Sequence, residues 1–375
     1  MMRTPYFKTL GFGILLLTIL SSCETDVELE APYKNTPIIF GVLDFTADTQ
    51  FVRINKVFLG AGNAVEFAGI RDSVEYKPEE VEAWLYKKSG TNIVDSIQLE
   101  RIVKPSRDPG IFFDTDIAFY YTDEALFTES EIGQIQSNDG NWKYELVARI
   151  KGETYRAETD FPDARDANIT FPPFSTFKVP FYRASGDRFE RVDIRFNKRA
   201  NTARYQGVVR LNYNYTREDG TVVTDQYIDF QLGVIDNQSA NNQTEEALFT
   251  FNGENWFGFV GERLKATPGI RKVQIENLES RITGGNETLN TYINLAQPIS
   301  DFTPVTATFT NFDNGAIGIL GSRRTIIREF QMSEQSLEAL NSSELTVFEA
   351  FNPCYCVQDW AGSEFVCTGS LANCP

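Results

Sequence analysis

Several stretches of this chain alternate apolar and polar side chains with a period of two, a pattern that suits a strand with one buried face and not a helix. In 142–150, Trp142, Tyr144, Leu146 and Ala148 alternate with Lys143, Glu145 and Arg149, with Val147 the exception. Leu211, Tyr213 and Tyr215 alternate with Asn212 and Asn214 in the same way. Further strands are expected at 37–43, 51–59, 81–86, 93–99, 111–113, 117–121 and 154–159. Polar turns separate them at 46–50, 138–141 and Lys151-Gly152-Glu153. In 51–59 the alternation is imperfect. Phe51, Arg53, Asn55 and Val57 share one face and Val52, Ile54, Lys56 and Phe58 the other, as expected where both faces are partly covered. Short strands at this spacing predict an immunoglobulin- or fibronectin-like β-sandwich over residues 34–162.

Phe161-Pro162 and Phe171-Pro172-Pro173 frame a boundary, because consecutive prolines cannot occupy a central strand. A second β-rich domain is expected over 163–330, with strands at 189–196, 203–215 and 222–232 and a turn at Glu218-Asp219-Gly220. Residues 236–244 read as a polar loop. Two short helices interrupt the pattern. One, at 254–265, places Phe257, Val260, Gly261 and Leu264 on a single stripe. The other, at 334–340, follows Ser333 as its N-cap and opens a cysteine-rich tail over 331–375. The expected fold class is mostly β: a sandwich, a second β domain and a disulfide-bonded C-terminal tail.

The N-terminus reads as a lipoprotein signal peptide over 1–22. Arg3 and Lys8 supply a basic start, 10–20 form a short apolar run, and Leu20-Ser21-Ser22-Cys23 fits a cleavage and lipidation site. A bilayer span needs about 20 apolar residues, so a processed signal fits better than a membrane helix. A diacylglycerol on Cys23 and an acyl chain on its freed amine would provide the two chains that stable anchoring takes. Residues 23–33, rich in acid and containing Pro32, then read as a solvated tether.

The chain carries 52 acidic and 35 basic residues, a formal net charge of −17. Such a surface repels nucleic acid and anionic headgroups, so membrane contact falls to the lipid and no nucleic-acid partner is expected. There is no histidine. That removes Ser-His-Asp and Cys-His nucleophilic machinery, His-ligated zinc and the usual general base near neutral pH. A carboxylate-dependent glycan hydrolase stays open, but no spacing singles out a pair of Asp or Glu. The expectation is a protein that is not an enzyme and holds no cofactor or metal.

Of five cysteines, Cys23 is the lipid site, which leaves Cys354, Cys356, Cys367 and Cys374 near the C-terminus. An exported chain meets an oxidising compartment, so two disulfides are expected. Cys354 and Cys356 are too close to pair with each other. Either Cys354–Cys367 accompanies Cys356–Cys374, or Cys354–Cys374 accompanies Cys356–Cys367. A CxC with wide gaps lacks the CxxC knuckle of a four-thiolate metal site.

The densest motif is 311–324, with Asn314-Gly315, Gly318 and Gly321. It matches neither GxGxxG nor GxxxxGK[ST], so a turn and close backbone approach are expected there. Trp256-Phe257-Gly258-Phe259 and Phe119-Tyr120-Tyr121 could offer stacking faces to sugars or a partner protein, but core positions are the expectation. Asp114-Thr115-Asp116 and the acidic 160–166 lack the spacing of a calcium loop. Asp72-Ser73-Val74 and Asp95-Ser96-Ile97 resemble a short O-glycosylation sequon of Bacteroidota.

Four segments together carry a family resemblance: YKNTPIIFGVL at 33–43, RINKVFL at 53–59, TYINLAQP at 291–298 and NGAIGILGSR at 314–323. The chain resembles the Bacteroidota outer-membrane lipoproteins grouped as domain of unknown function 4249, through most of its length after the signal. The resemblance implies an envelope lipoprotein, often encoded near TonB-dependent receptors, and carries over no catalytic residues. In that phylum, acidic residues just after the lipidated cysteine resemble a signal for the outer leaflet. By that resemblance Asp26, Glu28 and Glu30 would be an export tag. The cysteine-rich tail does not match the common family pattern. The expected function is binding or scaffolding as an accessory of an outer-membrane receptor or uptake system, surface-exposed or on the periplasmic face. A structural surface component is the third option.

Overall fold

The computed structural model describes residues 35–57, 64–105, 116–128, 131, 142–162, 168–237, 245–296, 309–346, 354–358 and 365–366. Strands dominate them, as the alternation predicts. One sheet consists of β3 (Val81–Ser89), β4 (Asn92–Gln98), β7 (Trp142–Ile150) and β8 (Glu153–Asp160), in the order β4–β3–β7–β8. The largest contains β1 (Pro37–Asp44), β2 (Gln50–Lys56), β5 (Glu100–Pro105), β6 (Asp116–Thr122), β14 (Arg204–Arg217), β15 (Val222–Asp236), β17 (Ile270–Gly285) and β18 (Ile317–Met332). Its main path runs β15–β14–β17–β18–β1–β2–β6–β5. β10 (Lys178–Val179) pairs with the end of β18, and β19 (Cys354–Gln358) runs parallel to β17 with β20 (Phe365–Val366) beside it. A third sheet orders β16 (Glu246–Asn252), β13 (Arg191–Asn197) and β9 (Ile169–Phe171), and β11 (Tyr182–Arg183) pairs with β12 (Arg188–Phe189). The α-helices are α1 (Ala64–Ala68), α2 (Arg71–Val74), α3 (Gly253–Lys265), α4 (Glu287–Ala296) and α5 (Glu334–Leu340).

Two cores result. The first lies between the four-stranded sheet and the β1–β2–β6 part of the large one. Ile39, Leu43, Val52, Ile54 and Tyr120 come from one side, Ala83, Leu85, Leu146, Ala148 and Ala157 from the other. Phe127, Phe161 and Tyr144 meet edge to face at one end of it. Val147, the residue that breaks the alternation of β7, is also buried but belongs to the opposite face, between Trp84 and Arg156 of the flanking strands. The second core draws on β13, β14, β16 and β17 and on α3, whose Trp256, Phe257, Val260 and Leu264 are all fully buried. Asn252 caps α3 by accepting the Glu254 amide, and Ser333 caps α5 as expected, accepting that of Ser336.

The boundary expected at 162/163 is crossed by the large sheet. β1 lies parallel to β18, from Ile38 opposite Ile317 to Asp44 opposite Arg323, and Phe312, Ala316 and Leu320 join the first core. An open edge on β1 would be a liability, and β18 is long enough to cover it while serving the other unit. Its first half pairs with β1 and its second half, from Arg323 to Phe330, with β17. The glycines of 311–324 make this fit, in keeping with the structural role expected of them. Gly318 sits at φ +122°, and a Cβ there would lie 2.0 Å from the Ile39 carbonyl oxygen. Asn311 donates to the Glu158 carbonyl, and Asp313 exchanges hydrogen bonds with the Arg156 backbone, so the segment clamps the edge of β8.

A buried polar knot ties the pieces together. Asn286 is fully buried; its amide nitrogen donates to Thr159 Oγ1 (2.9 Å) and Asp160 Oδ1 (3.0 Å), and its Oδ1 accepts the amides of Leu289 (3.1 Å) and Ser322 (3.3 Å). The Leu289 contact makes Asn286 the N-terminal cap of α4, a helix the alternation does not predict. α4 lies over the large sheet, with Leu289 against Gly285 and Gly321 and Tyr292 edge-on to Phe40.

Candidate functional site

β14, β15 and β17 are 14, 15 and 16 residues long and leave one sheet face turned away from the core. On β14 Tyr205, Val209, Leu211, Tyr213 and Tyr215 point inward, so strict alternation puts Arg204, Gln206, Arg210, Asn212 and Asn214 outward. Antiparallel register then builds polar rows across the strands. Arg210 stands between Asp229 and Glu279, and Asn212 between Tyr227 and Asn277.

The rows are bonded side chain to side chain. Arg210 makes a bidentate pair with Asp229 (2.7 and 2.8 Å), and that carboxylate holds the Arg210 guanidinium still more firmly protonated than usual. Asn212 donates to Asn277 Oδ1 (2.6 Å) and to Glu279 Oε1 (2.8 Å); Glu279 also takes Arg281. Gln206 donates to Gln231, Asn214 to Glu276, and Arg204 pairs with Asp236. Tyr227 rises from this lattice 57% exposed, with the Arg210 guanidinium 3.9 Å from its ring centre. The face is therefore mostly polar, pre-ordered and largely self-neutralised, with exposed Val234 and Ile327 at its margins and one aromatic ring on offer.

Two clefts compete with it less well. One of about 180 Å³ is lined by Asp44, Thr46, Asp48, Asp123 and Phe127, smaller than the roughly 300–1,000 Å³ of small-molecule sites. Its Asp44 carboxylate is already taken by Thr46 and Arg323. The other, about 370 Å³, lies by Lys178, Arg183 and Glu334, where Lys178 and Glu334 satisfy each other at 2.7 Å.

Of the residues singled out in the sequence, Cys23, Asp26, Glu28, Glu30, Cys367 and Cys374 lie outside the described residues. Cys354 and Cys356 sit on β19, opposite Lys272 and Gln274 of β17. Trp256 and Phe257 are core residues, and so is Tyr120, whose hydroxyl burial pushes up to about 12. Phe119 and Tyr121 gather around Phe51 (5.9 and 6.2 Å between ring centres). Ser96 of the second sequon is exposed on β4, while Ser73 of the first is half-buried on α2. Asp160 belongs to the Asn286 knot. Among the described residues no group of three or more Asp, Glu or Cys is placed to hold a metal, and no helix is long and apolar enough to cross a membrane.

No family model matches the chain, and no curated protein does either. The Tyr227 cluster was not visible in the sequence because its members come from three strands. Only the Asn212–Asn214 alternation and the outward phase of Tyr227 beside inward Ile228 hinted at it.

Proposed function

We propose that the chain is a lipid-anchored protein of the cell envelope that binds rather than transforms its ligand, as an accessory of an outer-membrane receptor or uptake system. The observation that carries this is the open face of β14, β15 and β17, where long strands hold ordered polar side chains and an exposed Tyr227 toward solvent. Ionic groups already locked in pairs suit recognition better than proton transfer, which needs a group free to change its charge. The resemblance to the outer-membrane lipoproteins and the signal ending at Cys23 support the address. In this proposal 34–162 is an immunoglobulin- or fibronectin-like sandwich, Asp26, Glu28 and Glu30 are an export tag, and the four C-terminal cysteines form two disulfides.

The test uses the full chain, expressed with its own signal in a Bacteroidota host. It should fractionate with the outer membrane, and Cys23→Ala should release it. Affinity purification from detergent-solubilised membranes should recover a TonB-dependent receptor or another envelope protein. A wild-type chain that stays soluble, or comes down alone, refutes the proposal.

A further inference from the structure

We propose that the Tyr227 face takes a neutral glycan chain, an inference that presupposes the binding role above and names its ligand class. The geometry points there on three counts. The first is the ring itself. Arg210 covers one side of Tyr227 at 3.9 Å, yet the residue remains 57% exposed, so its other side is open to the C–H face of a pyranose. The Arg210 stack and the Arg210–Asp229 bidentate pair hold that ring in place before any ligand arrives.

The second is hydrogen-bonding capacity. Asn212 uses its amide nitrogen on Asn277 and Glu279, which leaves Asn212 Oδ1 and the Asn277 amide nitrogen without a partner among the described residues. An acceptor and a donor therefore stand side by side, the pairing that vicinal hydroxyls, each both donor and acceptor, can satisfy. Neighbouring strands are about 4.8 Å apart, so the row Tyr227–Asn212–Asn277 spans roughly 10 Å, room for about two sugar units across the sheet.

The third is charge. Arg204, Arg210 and Arg281 each pair with a carboxylate on this face. A strongly ionic ligand would have to break those pairs. A protein partner would bury them, at a desolvation cost that a hydrophobic interface core normally avoids. A neutral polyhydroxyl chain can replace the water on this face and leave the pairs intact.

The experiment is calorimetric titration of the full chain in detergent micelles with neutral hexasaccharides: β-1,4- and β-1,3-glucan, α-1,4-glucan, β-1,4-mannan and β-1,4-xylan. Polygalacturonate and heparin fragments run beside them. At least one neutral chain should bind. Tyr227→Ala should weaken it by roughly five- to tenfold, the upper part of what a lost aromatic stack costs, Tyr227→Phe by less than about threefold, and Asn212→Ala by an intermediate factor. Lys178→Ala, outside this face, should leave it unchanged, and circular dichroism should show all variants folded. The inference is overturned if no neutral chain binds, if only the anionic ones do, or if Tyr227→Ala binds as wild type. Should the receptor co-purify while every glycan fails, the accessory role stands and this inference alone falls.

Discussion

Asn286→Ala should cost this protein about 2–4 kcal/mol. The side chain is fully buried and serves both as a helix cap and as a cross-strand connector. Losing an Asn cap costs about 1 kcal/mol. The Ser322 amide then loses its side-chain partner, and a buried polar group left unpaired costs roughly 1–3 kcal/mol, whereas the Thr159 hydroxyl keeps its bond to the Asp160 carbonyl. That is a large share of the ~5–15 kcal/mol that holds a typical domain together. Guanidinium unfolding followed by tryptophan fluorescence and circular dichroism measures it, with the slope compared to confirm that the same transition is followed. A companion variant separates capping from connection. Asn286→Asp keeps an acceptor for Leu289 and Ser322 but sets a charge beside Asp160 Oδ1. Its carboxyl is then held above the ordinary range in the folded state, so the variant should be at least as unstable as Asn286→Ala at pH 7 and recover as the pH falls toward 4. A loss below about 1 kcal/mol for Asn286→Ala would refute the view that this knot holds β8, β18 and α4 together.

Other outcomes follow from single positions. Gly258→Ala, at a helical site with nothing within 4 Å of the new Cβ, should stabilise by about 0.5–1 kcal/mol, whereas Gly261→Ala three residues on should destabilise strongly, because its Cβ would lie 2.0 Å from the Leu345 carbonyl oxygen; thermal melts of the two decide. Gly318→Ala should fail to fold or melt far lower, since it adds a clash with the Ile39 carbonyl to a left-handed backbone. Trp256→Ala should lose about 3–5 kcal/mol as a cavity opens in the second core, measurable by denaturant midpoint. The hydrogen bond from Lys88 lowers the Glu158 carboxyl below its ordinary 4.5. Its contribution should be complete above pH 4.5 and lost as the pH drops through the lowered folded value, so Glu158→Gln should flatten the acid limb of the stability profile.

One strand of each unit was plainly legible, β7 in the first and β14 in the second. β14 keeps an unbroken period of two and β7 departs from it only at Val147, so their inward faces could be assigned from the text alone. The longest strands, β17 and β18, were not foreseen. β17 buries Ile270, Val273, Ile275 and Leu278, a rhythm of three, two and three that two bulges opposite β14 impose. Each bulge inserts a residue and flips the phase, so the sequence looks aperiodic where the sheet is in fact continuous. β18 opens with glycines that read as a turn, and its pairing with β1 depends on a residue nearly three hundred positions away. α4 was hidden differently: Asn, Thr and Ile make it a poor helix by propensity, and only its Asn286 cap and the spacing of Leu289, Tyr292 and Ile293 betray it. The candidate site was the least legible, because no strand alone holds both Tyr227 and the amides beside it.

The parallel pairing of β1 with β18 also sets a schedule for the chain's synthesis. Ile38 leaves the ribosome 279 residues before its partner Ile317. Until then β1 has one neighbour, β2, and the first core lacks Phe312, Ala316 and Leu320. Contacts this remote slow folding, because the connecting chain must be ordered before they form. The first core therefore waits, incomplete, until β18 has been made. A truncation before residue 317 removes the strand that pairs with both β1 and β17.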